Sequence, residues 1–179
     1  MFKQFSFALL AVLSVGCVNS ETTRITESTS LHYSAYFKLA IPTSSLAGAK
    51  ILPSAGPLIK FSDSVMMGGE ITTREQDELP EDFNLSLYPR YLLGLEPTDL
   101  LPEDLRWSFD NSLSAFGVTP AAVVTETPYG QGTVYSACDA PSCLVFVVQH
   151  AQDEQILMLN TKGFGLADIL AFLEGSDVK

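Results

Sequence analysis

Thr133-Val134-Tyr135-Ser136-Ala137-Cys138-Asp139-Ala140-Pro141-Ser142-Cys143-Leu144-Val145-Phe146-Val147-Val148 is two runs of β-branched and aromatic residues separated by turn residues. That composition predicts two strands joined by a hairpin loop at Asp139-Ala140-Pro141-Ser142. Cys138 and Cys143 then face each other where the loop begins and ends, and an even cysteine pair in an oxidising compartment reads as a disulfide. A redox-active pair is the sharper reading, but such pairs are usually Cys-x-x-Cys at a helix N-terminus, where the thiol pKa falls. Here four residues intervene and the context is strand. A zinc site would have half its ligands, with only His150 nearby in sequence. Cys143 to Val148 is continuously apolar, so this strand is expected inside a sheet, buried on both faces.

The neighbouring sequence extends the pattern. Ala121 to Thr127 and Thr133 to Ala137 flank the turn Pro128-Tyr129-Gly130-Gln131-Gly132, and Ile156 to Leu159 follows a turn near Gln152-Asp153-Glu154. The result is a four-strand meander over about 121–160. Leu166, Ile169, Leu170 and Leu173 then form one helical face, with Asp168 near its positive end and Gly175 at its stop.

The middle of the chain reads as helical and acidic. Leu79-Pro80-Glu81-Asp82 recurs as Leu101-Pro102-Glu103-Asp104. Proline followed by acids marks a helix start, because proline loses no needed hydrogen bond there and the acids complement the dipole. One helix is expected through Leu85-Ser86-Leu87-Tyr88, shortened or kinked by Pro89. A second carries Leu105, Phe109, Leu113 and Phe116 on one face and stops at Gly117. Toward the N-terminus, Leu31 to Ile41 predicts a strand, Pro42 to Pro57 a loop with a short helical turn near Leu46, and Leu58 to Met67 a hairpin around Ser62-Asp63-Ser64. Gly68-Gly69 predicts a bulge or bend. Together these elements predict one α+β domain over 31–179, with a single antiparallel sheet and helices packed mainly on one face. The arrangement is similar to the small antiparallel α+β domains of the PsbP and Mog1 type, at the level of fold alone; those families are mostly binding or assembly factors.

The first residues give an address. Lys3 precedes the apolar run Phe5 to Leu13, and Ser14-Val15-Gly16 closes it immediately before Cys17. That is the layout of a secretory signal over residues 1–16, too short to span a bilayer. Leu13-Ser14-Val15-Gly16-Cys17 resembles the lipobox of bacterial lipoproteins, with Ser14 where the family usually has leucine. The resemblance implies that Cys17 becomes the first mature residue and carries acyl chains, and that Val18, in place of aspartate, favours the outer membrane, facing the periplasm. Ser14-Val15-Gly16 also fits the cleavage site of an ordinary signal peptide. Asn19 to Ser30 is polar with one apolar residue, which makes 17–30 an anchor followed by a flexible tether.

Composition narrows the function. Apolar residues make up 46% and charged residues 17% of the chain, which argues against disorder. The net charge is −11, and cleavage after Gly16 removes only Lys3, leaving nine basic against 21 acidic residues. Such a chain repels phosphate backbones, so nucleic acid is not an expected partner. Two histidines, His32 and His150, are all the chain has, and the sequence contains no nucleophile elbow, zincin motif, phosphate loop or dinucleotide fingerprint. No catalytic residue, metal or cofactor is predicted. His150 with Asp153 and Glu154 is either a hydrolytic or metal cluster or a strand end running into a polar turn. Trp107 falls beside the apolar stripe of its helix and is either a core margin or a surface aromatic for a partner. Tyr91, among Tyr88, Leu92, Leu93 and Leu95, belongs to an apolar lip or to packing. The expectation is an exported, membrane-anchored interaction or envelope-assembly module with a protein partner; the alternative is a small-molecule or glycan-binding or hydrolysing domain.

Overall fold

The computed structural model describes residues 27–54 and 56–174. The signal segment 1–16, Cys17, the tether up to residue 26 and the helix stop at Gly175 lie outside the described residues. The expected meander is present as β6 (Val123–Tyr129), β7 (Gly132–Asp139), β8 (Ser142–Gln149) and β9 (Ile156–Lys162), each antiparallel to the next. Three earlier strands, β3 (Lys50–Leu52), β4 (Leu58–Lys60) and β5 (Met66–Thr72), join it through β5 against β9. The sheet therefore has seven strands in the order β3-β4-β5-β9-β8-β7-β6.

Two expectations need correction. The sheet is not alone: β1 (Ser28–His32) and β2 (Lys38–Pro42) form a separate two-stranded antiparallel hairpin. Leu31 to Ile41, expected as one strand, contains its turn at 33–37, where Tyr33 N and Ser34 N both donate to Phe37 O. The tether region gives up Ser28 to Ser30 to β1. Two of the three α-helices share one face, as expected, and the third lies on the other. The strand period of two sends Val145, Val147, Leu157 and Leu159 to one side and Leu144, Phe146, Val148 and Ile156 to the other. The first side is covered by the β1–β2 hairpin, through Phe37, Leu39 and Ile41, and by α3 (Leu166–Glu174), through Ile169, Phe172 and Leu173. The second is covered by α1 (Tyr88–Leu92) and α2 (Glu103–Ala115). Burial on both faces explains why β8 carries no polar residue between Cys143 and Val148.

Helix starts were harder to place. Leu79-Pro80-Glu81-Asp82 forms a turn, not a helix. A 3₁₀ turn at Leu85–Leu87 follows, capped by Asn84, whose Oδ1 accepts from Ser86 N at 3.1 Å. Pro89 stands inside the first turn of α1, so it starts a helix where a kink is predicted. α2 matches its stripe: Leu105 and Phe109 are buried, and Gly117, at φ +71°, ends the run. Gly68-Gly69 makes no bulge, since β5 pairs with β9 without interruption from Met66 to Thr72. Gly69 instead admits the Tyr33 ring, which would stand 2.6 Å from a Cβ added there. β3 lies inside the stretch expected to be loop, while the short helical turn near Leu46 is a 3₁₀ turn at Thr43–Leu46.

Candidate functional site

Three places on the surface carry unpaired apolar area or convergent polar groups. The first is at the β7–β8 hairpin. Cys138 and Cys143 are register partners on β7 and β8 and are joined by a disulfide. The turn between the strands is Ala140-Pro141, with a cis peptide bond. The bridge lies on the α3 side of the sheet and forms part of an open groove of about 450 Å³. Val123, Cys138, Pro141, Cys143, Phe164 and Leu166 provide its apolar walls. Thr125, Ser136 and Ser142 are its polar side chains, and the Thr125 and Ser136 hydroxyls bond to one another at 2.7 Å. The β6 wall is fixed from the opposite face: Arg90 on α1 donates from Nη1 to both Glu126 carboxylate oxygens at 3.0 and 2.9 Å, and from Nε and Nη2 to Glu96. A bidentate arginine fixes orientation as well as distance.

The disulfide closes a short loop. Replacing both cysteines with alanine should lower unfolding stability by about 2 kcal/mol in the chain-entropy view, read as a shift of the urea midpoint at unchanged slope. Free-thiol labelling of the unreduced, unfolded wild type should find neither residue; labelling of both would refute the bridge.

The second place is the outer face of α2. Trp107 is 71% exposed and Leu100 94% exposed. Thr98 Oγ1 donates to Asp110 Oδ1 at 3.2 Å, which lays the turn carrying Leu100 against the stripe of α2 that holds Trp107 and Asp110, three residues apart. Asp99, Glu103, Asp104 and Asp110 occur in the same stretch, with Arg106 as its single base. The inner face of the same helix is pinned by Phe109, whose ring lies 5.4 Å from Tyr88, 5.5 Å from Tyr91 and 6.0 Å from Phe83. Tyr91 is thus half-buried in an aromatic cluster, and Trp107 is the residue left to solvent.

The third place holds the residues that chemistry would use. His150 is exposed just past β8, with its Nε2 3.4 Å from Thr133 Oγ1. It lines an open polar depression of about 360 Å³ with Asn84, Ser86 and Asp153. The Asp153 carboxylate accepts from Arg74 Nη2 at 3.1 Å, so its charge is already matched, and Glu154 does not line the depression. His32 is exposed on β1, opposite Lys38 in the register. A further carboxyl escapes sequence reasoning. Partial desolvation raises the Asp77 carboxyl, although the residue is exposed at the surface, against a lowering hydrogen bond from Tyr88 and with Glu70 adding repulsion. Glu70 lines a smaller depression of about 210 Å³ with Gly68 and Asn160, but Asp77 does not line it. Nothing in the spacing of residues 70, 77 and 88 announces this cluster, because the turns between β5 and α1 bring it together.

No protein family, no curated protein and no solved structure matches the chain.

Proposed function

We propose that this protein is an exported, lipid-anchored module of the cell envelope that acts by docking another protein through the Trp107 face of α2. The supporting observation is the exposure of Trp107 on a helix whose other side is locked into the aromatic core. A large aromatic held rigidly in solvent binds at low entropic cost, and tryptophan is enriched where interfaces draw their energy. The acids around it suit a partner with a basic surface, whose binding weakens as salt screens the charges. The lipobox-like segment supplies the anchor on this reading, Cys17 the lipid, and the tether the freedom to reach a neighbour.

Trp107→Ala should remove the partner from a pull-down out of native envelope while changing unfolding stability by about 0.5 kcal/mol or less, the usual range for an exposed site. Retention of partner and of complementing activity by Trp107→Ala, with both lost in a folded His150→Ala chain, would overturn the docking reading in favour of chemistry at the third site. A second reading, a binding domain for a small ligand, is favoured by the apolar groove at Cys138–Cys143.

A further inference from the structure

The groove at the disulfide combines features that a solvated surface does not need. None of its lining residues is charged, in a chain of net charge −11. Val123 leaves 65% of its surface exposed on the β6 edge, which no further strand covers among the described residues. Thr125, Ser136 and Ser142 are its polar side chains, and the first two bond to each other, so the lining presents mostly hydrocarbon and sulfur. Its volume is that of a ligand site. An unbranched, uncharged hydrocarbon matches this lining, whereas a sugar would leave most of its hydroxyls without partners.

Chain geometry says where such a ligand comes from. The described chain enters at Glu27, whose carbonyl accepts from Thr43 N at the open end of the β1–β2 hairpin. The closed end is tied to the far end of β8 from Cys143, where Gln149 Nε2 donates to Tyr36 O at 2.9 Å. The hairpin packs beside α3 on the groove's own side of the sheet. Cys17 stands ten residues before Glu27, so an anchor there holds Glu27, where the described chain enters on the groove's side of the sheet, within about 35 Å of the bilayer even at full extension. We propose that the groove between β6 and the start of α3 binds a single acyl chain of a membrane lipid. This rests on the anchored reading above and adds a ligand to it.

The test uses the exported Cys17→Ser chain, which cannot carry acyl groups of its own. A fluorescent sixteen-carbon fatty acid should bind it one to one. Unlabelled fatty acids should displace the probe with affinities that rise up to about fourfold per methylene before levelling off as the groove fills. Val123→Asp and Leu166→Asp, each checked for an unchanged thermal midpoint, should weaken binding about tenfold or more by placing a charge against the hydrocarbon; Val123, on the exposed edge, serves if Leu166→Asp fails to fold. Native mass spectrometry of the freshly exported chain should show a co-purifying single-chain lipid or an acyl chain of a larger one. Absence of probe binding, or binding indifferent to Val123→Asp, overturns the proposal. Refusal of the probe by lipidated wild type, in the detergent where Cys17→Ser accepts it, assigns the groove to the anchor's own chain and also overturns it. Dimerisation that Val123→Asp abolishes places a second copy there and does the same. An unmodified Cys17 in the intact mass of wild type defeats the anchored reading separately, since it leaves the Cys17→Ser titration unchanged.

Discussion

Phe146→Ala is expected to remove about 3–5 kcal/mol of stability, the cost of deleting a large buried ring and leaving the space open. Phe146 is 0% exposed at the middle of β8. Its ring lies 6.0 Å from Tyr88, Tyr88 lies 5.4 Å from Phe109, and Phe109 touches Phe83 and Tyr91. The ring meets α1 through Tyr88 and, through Tyr88, Phe109 of α2 in one buried cluster, so its neighbours cannot collapse inward without moving a helix. Small domains have about 5–15 kcal/mol to lose, which makes this change a test of the fold as described. Chemical unfolding of the variant would show it, and a drop below about 1 kcal/mol would mean that Phe146 is not between the sheet and the helices.

That residue was visible in the sequence because strand patterning is local. A run with no polar residue from Cys143 to Val148 cannot have a wet face, and the hairpin before it is marked by a turn composition that the two cysteines bracket. α2 was visible for the same kind of reason, from Leu105 and Phe109 to the glycine that stops it. What stayed hidden depends on distant pairing. β3 is three residues long and exposed, so neither length nor alternation marks Lys50–Leu52; only β4 opposite makes it a strand. The second Leu-Pro-Glu-Asp starts a helix and the first does not, although the local signals agree. After Pro102 the apolar side chains repeat on one face toward the sheet, whereas after Pro80 the chain must turn at Phe83 to reach the core. That both faces are covered was legible; which element covers which was not, since an apolar helix such as α3 carries no mark of the side on which it packs.

The candidate sites divide along the same line. The disulfide could be read from two cysteines and a turn, but its place on a groove wall required Val123 and Leu166 to converge from β6 and α3. Trp107 could be singled out as lying off its helical stripe, yet whether it faced a neighbour or solvent depended on what packs beside α2. His150, Asp153 and Glu154 could be read in sequence either as a cluster or as a polar turn; Arg74, 79 residues from Asp153, takes that carboxylate.

Cys17→Ser should move the protein from the membrane fraction to the soluble one almost completely. The motive is the order basic residue, apolar run, small residues, cysteine at the start of the chain. Each methylene of an acyl chain adds about 0.8 kcal/mol on entering a bilayer, so one chain holds a protein marginally and two or more hold it firmly. Serine keeps the size of the side chain but cannot form the thioether on which lipidation depends. The change should not touch the described fold, whose first strand, β1, starts eleven residues later. On the anchored reading, the polar segment after Cys17 keeps the Trp107 face near other envelope proteins at high effective concentration. Release of Cys17→Ser should therefore weaken partner capture in cells without weakening the contact measured with purified components. Fractionation decides the first part, and intact mass of wild type decides the second independently. An unmodified N-terminus at residue 17, or a Cys17→Ser chain that stays with the membrane, would show that the domain is held by something other than lipid, and the first suspect would then be the Trp107 face itself.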